Sequence, residues 1–174
     1  MERALWVLGL ALVCIVAAWG IWVGWRHRAG RQAGLPELPT VPQTLGEVRT
    51  PRLTGLYVST TTAGNWQDRV VARGLGVRAN ATVRLTDDGV IVDRDGADPI
   101  FVPVKDLIEV TTAPGIAGKV MGQADGILII RWRLGETELD SGIRADDRDD
   151  QAEFLVAAKD LLAGNPGKSV EATP

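Results

Sequence analysis

Thr82-Val83-Arg84-Leu85-Thr86-Asp87-Asp88-Gly89-Val90-Ile91-Val92 (residues 82–92) is the stretch that decides the fold. Val83 and Leu85 alternate with Thr82, Arg84 and Thr86, which is the period of a strand with one buried face. Asp88-Gly89 then interrupts the pattern, and apolar residues resume at Val90. Aspartate and glycine tolerate the positive φ of a tight turn, so the stretch is expected to be a β-hairpin.

Working outward, the same period continues in both directions. On the N-terminal side, Leu56 and Val58 alternate with Tyr57 and Ser59 in a run that begins near Leu53. On the C-terminal side, Asp95-Gly96-Ala97-Asp98-Pro99 marks a second turn, and Ile100, Val102 and Val104 alternate with Phe101 and Pro103. Pro103 marks an edge or a bulge, because it cannot donate to a ladder. Leu107 to Thr112 reads as another short strand. Ala113 to Gly126, with four glycines and Pro114, reads as a mobile loop.

Ile127-Leu128-Ile129-Ile130-Arg131-Trp132-Arg133-Leu134 is the longest apolar strand, with Leu128, Ile130, Trp132 and Leu134 on one face. Gly135-Glu136 turns it towards a partner containing Leu139 and Ile143. The period then lengthens: Phe154, Leu155, Ala158, Leu161 and Leu162 recur at helical spacing behind the capping carboxylates of residues 146–150. Gly164, Asn165 and Pro166 stop that helix. The domain is therefore expected to be mainly β, a bent antiparallel sandwich or partly open barrel of about seven strands, capped by one C-terminal helix.

At the other end of the chain, Ala4 to Trp25 is 22 residues without a charge. As a helix rising about 1.5 Å per residue it would measure about 33 Å, close to the roughly 30 Å of a bilayer's hydrocarbon core. Trp6 near one end, and Trp19, Trp22 and Trp25 near the other, occupy boundary positions that indoles prefer. Arg26, Arg28 and Arg31 follow the run and form a basic collar. The expectation is a single-pass transmembrane helix in the plasma membrane with the C-terminal domain in the cytoplasm. Gly20 and Gly24 have GxxxG spacing, a candidate helix–helix contact for a homodimer.

The chain thus divides into an anchor and collar (1–28), a Gly/Pro-rich linker (29–51), the β domain with its helix (52–164) and a tail (165–174). Pro36, Pro39, Pro42 and Pro51 break helix and central strand alike, so the linker reads as a semi-extended tether.

These features together resemble a pleckstrin-homology-like domain. More narrowly, they resemble small actinobacterial single-pass membrane proteins with a bacterial PH-like domain, usually described only as membrane, export or transporter proteins. The resemblance rests on the apolar N-terminus with its Arg26-His27-Arg28 collar, on Leu53-Thr54-Gly55-Leu56-Tyr57-Val58-Ser59-Thr60-Thr61-Thr62, on Trp66-Gln67-Asp68-Arg69-Val70, on Ile127 to Arg133 and on the final helix. The 15 arginines against 4 lysines fit a GC-rich genome.

Several chemistries are excluded or disfavoured. Residues 32–174 carry 15 Lys or Arg against 21 Asp or Glu, and an acidic domain repels nucleic-acid phosphates. The only histidine is His27 and the only cysteine Cys14, so the β domain has neither a Ser-His-Asp nor a Cys-His pair, and no Cys/His zinc site. Asp146, Asp147, Asp149 and Asp150 lack the central glycine and the twelfth-position glutamate of a calcium loop. Gly115 to Lys119 fails the phosphate-loop pattern at two positions. Glu136 with Glu138, and Asp93 with Asp95, read as solvated pairs on strand faces. No catalytic residue, metal ligand or cofactor is assigned.

The PH-like resemblance implies a lipid headgroup as one ligand class, but Thr60 to Arg69 holds one arginine and one aspartate where phosphoinositide-binding relatives concentrate basic residues. The expected function is accordingly a membrane-tethered, non-catalytic protein-interaction or scaffold module with an unidentified protein partner. Trp66, Val70 and Val120 are candidate contacts, joined by Arg69, Arg73 and Arg78. The alternatives are a lipid-headgroup or small-ligand sensor, for which Arg69, Arg73, Arg78 and Arg84 would have to converge, and an accessory subunit of a transport or export system.

Overall fold

The computed structural model describes residue 9 and residues 12–17, 19–20, 34–120 and 125–164. The chain forms two compact units, Met1–Leu35 and Pro36–Pro174.

In the first unit the described helical residues are Gly9, 12–17 and 19–20. Crossing a bilayer takes about 20 consecutive apolar helical residues. Among the described residues no helix is long and apolar enough to do so. The N-terminal transmembrane helix of the sequence reading is therefore not supported, and the mainly-β part of the expected fold stands without it. Trp19 and Gly20 are helical. Trp6, Trp22, Trp25, Gly24 and the collar residues Arg26, Arg28 and Arg31 lie outside the described residues.

Among the described residues the second unit has ten strands: β1 (Leu53–Thr62), β2 (Arg69–Val70), β3 (Ala79–Thr86), β4 (Gly89–Arg94), β5 (Ala97–Pro103), β6 (Leu107–Ala113), β7 (Gly115–Ile116), β8 (Lys119–Val120), β9 (Ile127–Leu134) and β10 (Thr137–Ala145). Seven long strands form one antiparallel sheet in the order β5-β4-β3-β1-β10-β9-β6, with β2 paired to β1 at the side. β7 and β8 form a separate small hairpin. A single helix, α1 (Arg148–Ala163), follows β10. It packs on β6 at one end of the sheet and also touches β1, β3 and β10, so it lies across the mouth of the curled sheet.

The hairpin that decided the fold is present: Thr86 pairs with Gly89 around Asp87-Asp88. The glycine does not sit in the two-residue loop. It begins β4 at φ +141, where a Cβ would lie 2.0 Å from the Val102 carbonyl oxygen of β5. Glycine here allows three strands to meet side by side.

β1 departs from its simple alternation. Tyr57 is fully buried while Leu56 is only half-buried. Leu53, Gly55 and Tyr57 share the buried face; the register between β1 and β10 then slips between Tyr57 and Ser59, and the added residue returns Thr60 to the side of Tyr57, whose hydroxyl it meets. Val58, on the opposite face from Tyr57, joins a second apolar cluster with Ile116, Ile127 and Ile129.

That cluster explains the unbroken apolar run at the start of β9. Leu128, Ile130, Trp132 and Leu134 are buried as expected, but Ile127 and Ile129 are buried too. Ile116 of the β7–β8 hairpin covers them. Residues 113–120, expected as a mobile loop, thus form a second small layer, and residues 121–124 lie outside the described set. Beyond Ile130 the cover ends, and the outward positions become Arg131 and Arg133.

α1 has its expected form. The Asp147 carboxylate accepts from the backbone N–H groups of Asp149 (2.7 Å) and Asp150 (3.2 Å), satisfying first-turn donors. Phe154, Ala158 and Leu161 are buried, and Gly164 caps the C-terminus.

Residues 36–50 run along the domain. Val48 bridges to Thr86, Arg49 N–H donates to the Leu85 carbonyl and Asp87 N–H to the Glu47 carbonyl, and Arg49 pairs with Asp87. The prolines that keep this segment out of helix and central strand do not keep it off the β3–β4 hairpin.

Candidate functional site

The interior holds a polar chain whose direction can be deduced. Trp132 Nε1–H is a donor only, and it reaches Ser141 Oγ at 3.0 Å. Ser141 Oγ lies 2.6 Å from Thr60 Oγ1, and Thr60 Oγ1 lies 2.7 Å from the Tyr57 hydroxyl. Tyr57 donates to the Leu75 carbonyl at 2.7 Å. Each hydroxyl has one proton to give, so the order is Trp132 to Ser141 to Thr60 to Tyr57 to Leu75. Burial pushes the Tyr57 pKa up to about 12. Every member is satisfied and shut from solvent, so this chain is structural.

Arg94 extends that structural role. Its guanidinium lies 5.0 Å from the Tyr57 ring centroid. It donates to the Asp98 carbonyl through Nε (2.9 Å) and Nη2 (2.6 Å), and to the Gly74 carbonyl through Nη1 (2.7 Å). Burial pulls its pKa below the usual arginine value, with Tyr57 and Asp98 opposing. Arg94 thus ties the β4–β5 turn to the connection between β1 and β3.

The residues singled out in sequence do not gather at one point. Arg69, on β2, donates to Ser59 Oγ (2.9 Å) and to the Gly76 carbonyl (2.5 Å), tying down the β1–β3 connection. Arg73 sits at φ 54 and donates to the Pro36 carbonyl at 3.2 Å. Arg84, on β3, pairs with Asp93 of β4 at 2.8 Å. Arg78 is exposed at the end of the β1–β3 connection. Trp66 is 44% exposed, and its carbonyl accepts from Gly118 N–H. Val70 is buried at 2% exposure, because β2 lays it against β1, and so it is not a contact residue. Val120 lies in β8.

One member of each carboxylate pair is held by an arginine. Glu138 pairs with Arg133 at 2.9 Å and Asp93 with Arg84. Asp140, nearly buried, receives Arg131 Nε at 2.8 Å and Nη2 at 3.0 Å, a two-pronged contact that raises the arginine's pKa. Among the described residues no group of three or more His, Cys, Asp or Glu side chains could hold a metal ion.

One cleft of about 440 Å³ lies between residues 37–41 and Arg73, Asp98 and Pro99. Its wall is largely proline and aliphatic carbon, and the Asp98 carbonyl beside it is already taken by Arg94. Glu37, Thr40, Arg73 and Asp98 supply the polar part of its lining.

The two ends of the sheet differ in kind. β5 carries Pro99 and Pro103, which have no N–H to offer, and the Asp98 carbonyl is occupied. β6 has no proline, and among the described residues its backbone bonds only to β9. Every second residue of an edge strand turns its N–H and C=O outward, a ready template for another strand. Ile108, beside the register slip in β6, is 38% exposed, and α1 lies against the same strand, while Val156, 60% exposed, sits on the side of α1 opposite its buried face. This edge, with the flank of α1, is the candidate binding surface. Sequence reasoning did not single out Ile108 or Val156. The signal for Ile108 was a Pro-free run at one end of the sheet, which needs the strand order to be recognised.

The family model described as Bacterial PH domain-like matches residues 35–159. No curated protein matches the chain. A solved structure of Vav1 inhibited by an allosteric inhibitor aligns with a TM-score of 0.44 at 10% identity, over 83% of this chain and 34% of that one. The chain thus spans about a third of that protein's length.

Proposed function

Starting from a chain that belongs to the bacterial PH domain-like family, we propose that it is a non-catalytic protein-interaction module whose contact surface is the β6 edge and the adjoining flank of α1. PH-like domains are general protein- and lipid-interaction modules, which makes binding the first expectation.

The observation that carries the protein reading is the asymmetry of the two sheet ends. β5 is blocked by prolines and by the Arg94 clamp, whereas β6 presents an unblocked backbone beside exposed aliphatic carbon. Strand addition at such an edge draws affinity from main-chain hydrogen bonds and specificity from alternate side chains. A headgroup-sensor reading would need several arginines around one pocket, and Arg69, Arg73 and Arg84 each engage a different part of the domain.

The test is photo-crosslinking in the native host, with a photoreactive side chain in place of Ile108 and, as comparison, in place of Asp98 on β5. Discrete protein adducts at position 108, and none at 98, are expected. Adducts at 98 alone, or at neither position, would refute the assignment of the surface.

A further inference from the structure

The charge around the β6 edge narrows the class of partner. Residues 104–113 and α1 together carry six carboxylates, Asp106, Glu109, Asp149, Asp150, Glu153 and Asp160, against the three cations Lys105, Arg148 and Lys159. Arg131, the cation of β9 nearest Glu109, gives its two-pronged contact to Asp140 and reaches Glu109 only at 3.6 Å. The surroundings of the open edge are therefore net negative.

This field selects among occupants. A second copy of the chain pairing through its own β6 would bring the same acidic helix and set like charges face to face. An anionic lipid surface meets the same repulsion. An extended segment bearing Lys or Arg gains from it. The backbone edge calls for an extended conformation, and the exposed aliphatic carbon of Ile108 suits an apolar side chain among its alternate positions.

Resting on the interaction-module reading, we infer that the β6 edge takes an extended peptide segment of a protein partner as an added strand, with Lys or Arg alternating with aliphatic residues. Edge pairing sets the geometry and the acidic rim sets the sign of charge. The rim charges are solvent-exposed, so binding weakens as salt screens them.

The test uses the full chain labelled with ¹⁵N and three short blocked peptides: lysine alternating with valine, glutamate alternating with valine, and the lysine peptide N-methylated along one backbone edge. The lysine peptide is expected to shift amides in 107–113 and α1. It should bind about tenfold more tightly than the glutamate peptide at low salt, the size expected from a few exposed charge pairs. N-methylation should cost a further factor of about ten, through two or so lost main-chain bonds. Equal binding of the lysine and glutamate peptides would overturn the basic chemistry, and shifts confined to β5 would overturn the site. If position 108 crosslinks to protein in the host while the lysine peptide leaves 107–113 unshifted, this inference fails and the module reading stands. If position 108 does neither, both fail.

Discussion

Replacing Ser141 with alanine removes the middle of the buried relay, and the structure sets what that costs. Ser141 Oγ is the acceptor for Trp132 Nε1–H and the donor to Thr60 Oγ1. Trp132 is fully buried, so its N–H loses its acceptor in a place water does not reach. An orphaned buried donor costs about 1–3 kcal/mol, and the lost Ser141–Thr60 bond adds about 1 kcal/mol, for a total of about 2–4 kcal/mol. Tyr57→Phe cuts the same relay at its end, leaves the buried Thr60 hydroxyl without the acceptor it donates to, and should cost a similar amount, about 2–4 kcal/mol. The Leu75 carbonyl then still accepts from the Thr60 N–H at 3.0 Å, so no acceptor is stranded. The assay is urea unfolding followed by far-ultraviolet circular dichroism, with Trp132→Phe completing a double-mutant cycle. The double variant Ser141→Ala/Trp132→Phe should cost less than the sum of the singles by about 1–2 kcal/mol, because the orphan disappears with its indole. A much smaller cost for Tyr57→Phe than for Ser141→Ala, or strict additivity in the cycle, would refute the deduced relay.

Three further outcomes follow from the same interior. Tyr57 is the single tyrosine, so an alkaline absorbance titration reads it alone; tyrosinate should appear near pH 12 rather than 10. Its folded pKa lies above the unfolded one, so its contribution is complete below about pH 10 and is lost as pH rises towards about 12, a loss of about 2–3 kcal/mol measurable by urea melts across that window. Arg94→Met removes three donations to main-chain carbonyls and should destabilise by about 2–4 kcal/mol, with hydrogen exchange accelerating first in 72–76; unchanged exchange there would contradict the clamp. Thr61 is fully buried and its Oγ1 has no hydrogen-bond partner, so Thr61→Val should be neutral or stabilising by up to about 1 kcal/mol in thermal melts, and a clear loss of stability would refute that.

How far the sequence disclosed this fold depends on the range of the forces involved. The Asp87-Asp88-Gly89 hairpin, the Gly135 turn and the Asp147 cap are local, and each was legible from a few neighbouring residues. The inward face of β9 was legible for the same reason, since period two is a property of one strand. The bulge after Tyr57, which returns Thr60 to the buried face, was not, because it depends on the register with β10, some 80 residues away in the chain. The β7–β8 layer was hidden behind its glycines and betrayed only by Ile127 and Ile129 being apolar on what should have been a solvent face. The candidate surface was the least legible part. Its elements were read in sequence, as a short run after Leu107 and an amphipathic helix, but that β6 ends the sheet and lies under α1 is a matter of topology alone.

The pairing of β1 with β10 also has a consequence for how the chain is made. Gly55 pairs with Ala145, so β1 must wait for about 90 further residues before its long partner exists. At roughly 5–20 residues per second, translation leaves it waiting about 5–20 s. Through that interval β1 can pair with β3, which reaches only Leu53 to Tyr57, and with the two residues of β2. The threonine-rich half of β1, Ser59 to Thr62, has only the two residues of β2 beside it through that interval. Its hydroxyl-bearing side chains keep a nascent edge soluble where valines and isoleucines would make it adhesive.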